Sequence, residues 1–292
     1  MKPYTLLQAD YRETLAAVAG QADLVFTSPP YADARTYGMG CNWTDADYAA
    51  LGDAVFAALK PGGHALINVD APVREWRKGY GTERGFHPWV LMLDWARRVG
   101  FRVPDWLVFG RYGTVGAFPT RFRNDKEPLL WFQKPGDSGF FFPIKDKNSS
   151  KIREIGQRET RTRQGEKTAV RVTVESPDEV YRGNVWAYGA VGKYKTGAPD
   201  IEAENHPARW PFKLAEDIVR CFCPPDGLAV DPFLGAGTSA VAALEHGRRF
   251  HGGDLGVRTA DAERGLDAVP WVVVAERVID RRFRQQRLFG AG

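Results

Sequence analysis

Two short motifs in this 292-residue chain combine residue types that hold small polar ligands. The first is Asp231-Pro232-Phe233-Leu234-Gly235-Ala236-Gly237-Thr238-Ser239, directly after the apolar run Leu228-Ala229-Val230. Gly235 and Gly237 permit a tight turn and close approach of the backbone to a ligand. A helix opening at that turn offers amide donors that its own ladder does not use. Roughly 20 residues further on, Gly252-Gly253-Asp254 ends another apolar strand, and an acidic side chain at that distance suits hydrogen bonding to ribose hydroxyls. The turn has two glycines and no lysine after it, which excludes a P-loop and counts against a dinucleotide site.

The second motif is Thr27-Ser28-Pro29-Pro30-Tyr31, at the end of the apolar run Asp23-Leu24-Val25-Phe26. Two consecutive prolines remove two amide donors and restrict the backbone. Their carbonyls remain as acceptors, and the Ser28 hydroxyl oxygen adds another. Acceptors grouped beside the Tyr31 ring suit a planar amine, whose hydrogens point at the oxygens while its base stacks on the aromatic face. Alone, a Ser-Pro-Pro segment is a rigid strand terminator and a glycine turn is a strand-to-helix connection. Chemistry is indicated by finding both in one chain.

The elements that must position these motifs alternate along the sequence. Strands are expected at Tyr4–Gln8, Asp23–Phe26, His64–Val69, Trp106–Phe109, Pro128–Phe132, Leu228–Val230 and Arg249–His251. Helices are expected after Asp10, from Asp45 to Leu59 with Thr44 as N-cap, and over His87–Val99, Phe212–Phe222, Gly237–His246 and Trp271–Phe283. Such alternation predicts an α/β fold with a doubly wound, mostly parallel sheet covered on both faces. Ligands of open sheets of this kind bind beyond the carboxyl ends of the strands, where both motifs fall.

Composition narrows the class further. Hydrophobic residues make up 43% and charged residues 26%, as in an ordinary globular domain. No apolar run is long enough to span a bilayer, and the first residues lack the core of a signal peptide, so no membrane association and a cytoplasmic location are expected. Cys41, Cys221 and Cys223 do not form a disulfide framework, their spacing suits no metal site, and a reducing compartment fits. His64 and His87 read as ordinary structural residues. Between Lys145 and Arg171, nine Lys/Arg stand against four Asp/Glu, whereas the whole chain has a net charge of only +4. Positive charge concentrated in this way, interleaved with Phe140, Phe141, Phe142, Tyr181, Trp186, Tyr188 and Tyr194, suits a polyanion. From about residue 136 to 204 no period of 2 or 3.6 persists, which marks a separate lobe or insertion. The chain therefore divides into residues 1–138, 139–202 and 203–292.

The two motifs together resemble those of the DNA amino-methyltransferases. Thr27 to Tyr31 is similar to their catalytic motif, and Asp231 to Ser239 to their cofactor motif. The catalytic motif comes first, which resembles the circularly permuted beta class, with target recognition between the halves. Asn205-His206-Pro207-Ala208-Arg209-Trp210-Pro211 resembles the family's segment against the methionine end of S-adenosylmethionine, and Asp10 matches an acidic strand end lining the adenosine pocket. The resemblance covers residues 1–135 and 203–285. It implies the S-adenosylmethionine-dependent methyltransferase fold. It implies cofactor contacts from Asp10, Thr27, His206, Pro207, Asp231, Pro232, Phe233, Gly235, Gly237, Thr238, Asp254 and Leu255. It also implies catalysis by Ser28, Pro29, Pro30 and Tyr31 on a base flipped from double-stranded DNA.

Family members with Ser before Pro-Pro usually methylate the cytosine 4-amino group, and those with Asp or Asn the adenine 6-amino group. The expected product is N4-methylcytosine. An N6-adenine enzyme is the nearest alternative, followed by a DNA-binding protein without activity and by an RNA or protein methyltransferase. Methylation at carbon 5 requires a Pro-Cys nucleophile, and no cysteine here follows a proline. DNA contacts are expected from Lys151, Arg153, Arg161 and Arg163, and from Arg121 and Arg123. A cognate restriction endonuclease is the expected partner in a restriction–modification setting, with monomer and homodimer both open. The stretch Leu255–Val269 departs from the family pattern, leaving Leu255 and Trp271 as candidates to cover the adenine ring.

Overall fold

The structure is a computed structural model that describes residues 2–30, 43–70, 73–77, 81–84, 88–111, 126–137, 139–147, 154–161, 164–165, 167–174, 177–188, 201, 210–258 and 268–289. It forms two compact units, one of Met1–Phe142 with Asn184–Gly292 and one of Pro143–Gly183.

The first unit contains an eight-stranded sheet. In chain order its strands are β1 (Tyr4–Leu7), β2 (Ala22–Thr27), β3 (Leu59–Asn68), β6 (Arg102–Arg111), β7 (Lys126–Gln133), β12 (Val185–Tyr188), β13 (Leu228–Asp231) and β14 (Arg249–Gly253). Two short ribbons complete its strands, one of β4 (Val73–Arg77) with β5 (Gly81–Arg84), the other of β15 (Val257–Arg258) with β16 (Val269–Pro270). Across the main sheet the order is β1-β14-β13-β2-β3-β7-β6-β12. Only β7 runs antiparallel to its neighbours; every other pairing is parallel. Strands buried on both faces carry unbroken apolar runs rather than alternation, as in Leu228-Ala229-Val230, and all four residues of β13 are buried.

Helices cover the sheet in two groups. α1 (Tyr11–Ala16) packs on α2 (Asp45–Ala58), which meets α3 (Pro88–Asp94) and its continuation as a π-helical turn, Trp95–Val99. α4 (Phe212–Phe222) packs on α5 (Thr238–Glu245), and α5 on α6 (Trp271–Phe289). Strand alternation separates the two groups. Val25, Ala65 and Ile67 join the core beneath α1–α3, whereas the next residues along, Phe26 and His64, touch Trp210 and Phe222 on the α4 side. The chain therefore leaves β2 for one face and β13 for the other, although the two strands are neighbours. Such a divergence opens a crevice at the carboxyl ends of the two strands.

Local chemistry accounts for the boundaries. Thr44 and Asp47 form a reciprocal capping box at the start of α2, with the Thr44 amide donating to Asp47 Oδ2 at 2.8 Å. β3 begins at Leu59, not at His64, and takes in Lys60-Pro61-Gly62-Gly63, because Leu59 is already extended and pairs with Ala22. The last helix runs on to Phe289 rather than ending at Phe283.

The second unit corrects the reading of the middle segment as aperiodic. It holds two antiparallel ribbons, β8 (Lys145–Lys147) with β11 (Glu179–Tyr181) and β9 (Glu154–Arg161) with β10 (Lys167–Val174). β9, Glu-Ile-Gly-Gln-Arg-Glu-Thr-Arg, carries no hydrophobic period for sequence reasoning to detect, whereas β10 does repeat Val170, Val172 and Val174 at a period of two, a strand signal that the sequence reading missed. Trp186 and Tyr188, grouped by composition with the basic segment, belong instead to β12 of the main sheet. There Trp186 is buried and pairs with Phe109, and the Tyr188 hydroxyl donates to Asp217 at 3.0 Å.

Candidate active site

The parallel strands deliver both motifs to one edge of the sheet. β2 and β13 pair in register through Leu24–Ala229 and Val25–Val230, so Thr27 and Asp231 emerge side by side. The fully buried Thr27 hydroxyl donates to Asp231 Oδ1 at 2.6 Å. Asp231 also accepts the Phe233 amide at 3.0 Å on Oδ1 and the Ser239 hydroxyl at 2.6 Å on Oδ2. Burial pushes the Asp231 carboxyl up to about 6, against the pull of these three donors. One carboxylate thus ties together the end of β2, the turn after β13 and the first turn of α5.

The glycine turn is held from its other side by Asp254. Its Oδ2 accepts the Gly235 amide at 2.8 Å and its Oδ1 the Gly256 amide at 2.6 Å. Burial raises its pKa, while the two amides pull it down. Gly237, the N-cap residue of α5, has φ +87°, and a Cβ there would lie 2.9 Å from that of Ala275 on α6. Both the backbone sign and the close approach of α6 require glycine. β14 packs equally tightly on α1, since a Cβ on Gly253 would overlap the Thr14 hydroxyl. Asp10 closes this end of the crevice as the N-cap of α1, accepting the Arg12 amide at 2.9 Å.

Between these ends lies a cluster of rings. Tyr11, Trp43 and Phe233 contact one another with centroids 5.4–5.6 Å apart, and Trp43 also meets Tyr48 at 5.1 Å. The Arg12 guanidinium stands 4.5 Å from the Tyr11 ring centre. Tyr48 of α2 donates its hydroxyl to the Pro30 carbonyl at 3.0 Å. On the α4 side the Trp210 indole N–H donates to Asn68 Oδ1 at 3.0 Å, and its ring lies 5.9 Å from Phe26. The end of the Asn205–Pro211 segment is thereby brought to the ends of β2 and β3.

Thus Asp10, Thr27, Ser28, Pro29, Pro30, Asp231, Pro232, Phe233, Gly235, Gly237, Thr238, Asp254 and Leu255 come together at one edge of the sheet. Leu255 is exposed, and Trp271 is buried against Gly256, whose carbonyl accepts the Trp271 amide at 3.0 Å. Tyr31, His206, Pro207, Arg121, Arg123, Lys151, Arg153 and Arg163 lie outside the described residues, as do Cys41 and His87. The backbone of Arg161 ends β9, opposite Lys167. His64 is structural: its Nδ1 accepts the Trp131 indole N–H at 3.1 Å, and burial lowers its pKa to about 4. Cys221 and Cys223 are buried free thiols, and burial pushes Cys223 up to about 12. Among the described residues no group of His, Cys, Asp and Glu is arranged to hold a metal ion, and no helix is long and apolar enough to cross a membrane.

Sequence reasoning missed Trp43, Tyr48 and Asn68, and named Trp210 only as part of the Asn205–Pro211 segment. For Tyr48 there was a signal, four residues after the N-cap Thr44, on the turn facing the end of β2. No local pattern marks Asn68.

The donor set fits a nucleoside sulfonium. Aromatic faces attract a compact cation, the Asp254 and Asp10 carboxylates suit hydroxyl and ammonium donors, and the glycine turn lets the backbone approach. A family model described as DNA methylase, of the N6/N4 type, matches residues 22–261. The chain is 25% identical over 263 residues to the Type II methyltransferase M.ScaI of Streptomyces caespitosus, covering 85% of this chain and 77% of that protein. It is 24% identical over 241 residues to the orphan methyltransferase M.BamHII of Bacillus amyloliquefaciens, covering 82% and 86%. The fold is similar to that of the cytosine-N4-specific PvuII DNA methyltransferase, with a TM-score of 0.57 and 18% identity over 95% of this chain and 92% of that one. It is also similar to M1.HpyAVI in complex with S-adenosylmethionine, with a TM-score of 0.51 and 16% identity over 94% and 98%. The chain belongs to the N6/N4 family of DNA methylases.

Proposed function

We propose that this DNA methyltransferase modifies the exocyclic 4-amino group of cytosine in double-stranded DNA, and that it is of the permuted beta class. The observation that carries the acceptor site is the Thr27–Asp231 hydrogen bond, which puts Ser28 and Pro29 beside the glycine turn. Ser28 before Pro-Pro supports cytosine through the family pattern. The order of the motifs, with β2 preceding β13 in the chain but adjoining it in the sheet, supports the class.

When bound, S-adenosylmethionine supplies a methyl group on a sulfonium, activated for direct transfer. Asp254 and Asp10 hold the ribose side, Phe233 lines the cofactor cavity, and His206 and Pro207 border its methionine end. Asp231 keeps the turn in place from inside the fold. The Ser28 hydroxyl oxygen and the Pro29 carbonyl accept the two amine hydrogens and aim the nitrogen lone pair at the methyl carbon, while Tyr31 stacks on the flipped base. Held in this way, the nitrogen would form the N–C bond as the methyl–sulfur bond breaks, the sulfur leaving as a neutral thioether and the amine's surplus proton passing to solvent, with no covalent enzyme intermediate. Positioning two reactants in this way supplies much of the acceleration. The Pro143–Gly183 unit reads the target, with Lys151, Arg153, Arg161 and Arg163 on phosphates and Arg121 and Arg123 from the catalytic half. The relatives include both a Type II and an orphan methyltransferase, so pairing with a restriction endonuclease is one of two settings for a cytoplasmic enzyme of this kind.

The test is direct. Duplex DNA of varied sequence is incubated with methyl-labelled cofactor, digested to nucleosides and separated. Label in N4-methyl-2′-deoxycytidine is expected; label in N6-methyl-2′-deoxyadenosine overturns the cytosine assignment and leaves the methyltransferase.

A further inference from the structure

A turn ordinarily ties itself down with its own amide donors, and Pro29 and Pro30 have none. Of the Ser28–Pro30 segment only Ser28 keeps an amide, and bonds from other elements fix its two ends. At its entrance the preceding residue, Thr27, is fixed to Asp231 at 2.6 Å. At its exit the Pro30 carbonyl accepts the Tyr48 hydroxyl at 3.0 Å. Ser28 and Pro29 are strung between these two points.

Tyr48 itself is set firmly. It is 1% exposed and lies one turn into α2, whose start is locked by the Thr44–Asp47 capping box. Its carbonyl accepts the Trp95 indole N–H at 3.2 Å. Its ring meets Trp43, which meets Phe233 of the cofactor turn at 5.4 Å. A route of direct contact thus runs from the Pro30 carbonyl through Tyr48 and Trp43 to the donor side of the crevice.

We infer that Tyr48 is a positioning residue for methyl transfer: its hydroxyl holds the exit of the Ser28–Pro30 turn, and its ring sets that turn at a fixed distance from Phe233. It touches neither reacting group. Its action is on the geometry of the Ser28 and Pro29 acceptors, and displacements of an ångström at reacting centres cost on the order of a hundredfold in rate. The inference rests on Ser28 and Pro29 being the amine acceptors, and it holds whichever base is methylated.

The experiment compares Tyr48→Phe, which keeps the ring and removes the hydroxyl, with wild type and with Ser28→Ala. Tyr48→Phe is expected to lower kcat at saturating DNA by roughly 10- to 100-fold, with the calorimetric Kd for S-adenosylmethionine unchanged within about threefold. In the enzyme without cofactor, the Thr27 and Ser28 amides should exchange hydrogen faster than in wild type. Wild-type kcat and wild-type exchange in Tyr48→Phe overturn the inference. Full activity in Ser28→Ala instead overturns the acceptor-site reading, whatever Tyr48→Phe shows. If Tyr48→Phe does not fold, 4-fluorophenylalanine at position 48 nearly preserves the size of the phenol and removes its hydrogen-bond donor. The same fall in kcat is expected, and wild-type kcat in that variant overturns the inference.

Discussion

Thr27 and Asp231 are 204 residues apart in sequence and 2.6 Å apart in space, joined by one buried hydrogen bond. Thr27 precedes the proposed amine acceptors, Ser28 and Pro29, and Asp231 opens the glycine turn proposed to meet the cofactor. Their contact makes one pocket from two remote segments.

Thr27→Val keeps the side-chain shape and removes the donor. It leaves a buried carboxylate oxygen one partner short, which costs about 1–3 kcal/mol. Urea unfolding should show that loss, calorimetry should show weaker cofactor binding, and Thr27→Ser should restore both.

Gly237→Ala places a Cβ at φ +87° and 2.9 Å from Ala275. The left-handed backbone alone costs about 1–2 kcal/mol, so lower thermal stability and weaker cofactor binding are expected. Adding Ala275→Gly should recover part of the stability, because it relieves the contact and leaves the backbone penalty.

Asp231 and His64 should give opposite pH dependence. With its pKa raised from 3.8 to about 6, Asp231 contributes stability that is full below about 3.8 and lost as pH rises through about 6. With its pKa lowered from 6.5 to about 4, His64 contributes stability that is full above about 6.5 and lost as pH falls toward about 4. Each shift corresponds to about 3 kcal/mol, and in wild type the two oppose one another. Denaturation across this range should therefore show a steeper loss of stability toward acid in Asp231→Asn than in wild type, and a shallower one in His64→Gln. Equal slopes in all three proteins would contradict the assignment. Cofactor affinity should also fall in wild type as Asp231 takes up its proton, since the protonated carboxyl no longer accepts all three donors.

Ser28→Ala and Tyr31→Ala should fold normally and lose methyl transfer by roughly 100-fold or more, the scale of removing a group that orients the reactants. Circular dichroism checks the fold and label incorporation the rate. Full activity in Tyr31→Ala would remove base stacking from the mechanism.

Replacing Lys151, Arg153, Arg161 and Arg163 together by alanine should flatten the salt dependence of DNA binding, by up to about 0.9 in log–log slope for each lost phosphate contact. Fluorescence anisotropy over a salt series measures it, and an unchanged slope would place phosphate binding elsewhere.

Much of the protein was legible in its residues. The alternation of apolar runs with capped helices foretold a mostly parallel sheet, Thr44 announced α2, and both motifs fell at strand ends. These features are written in patterns a few residues long, because helix caps, turns and strand burial are decided by neighbours in the chain. Tertiary structure decided the rest. It paired β2 with β13, turned Asp231 inward to serve as a joint, gave Asp254 two backbone amides to hold, set Tyr48 on the Pro30 carbonyl, and drew Trp186 into the main sheet. Each of these depends on which distant strands bury each other's faces and on which buried polar groups then find partners. That is settled by the packing of the whole chain, and no local spacing encodes it.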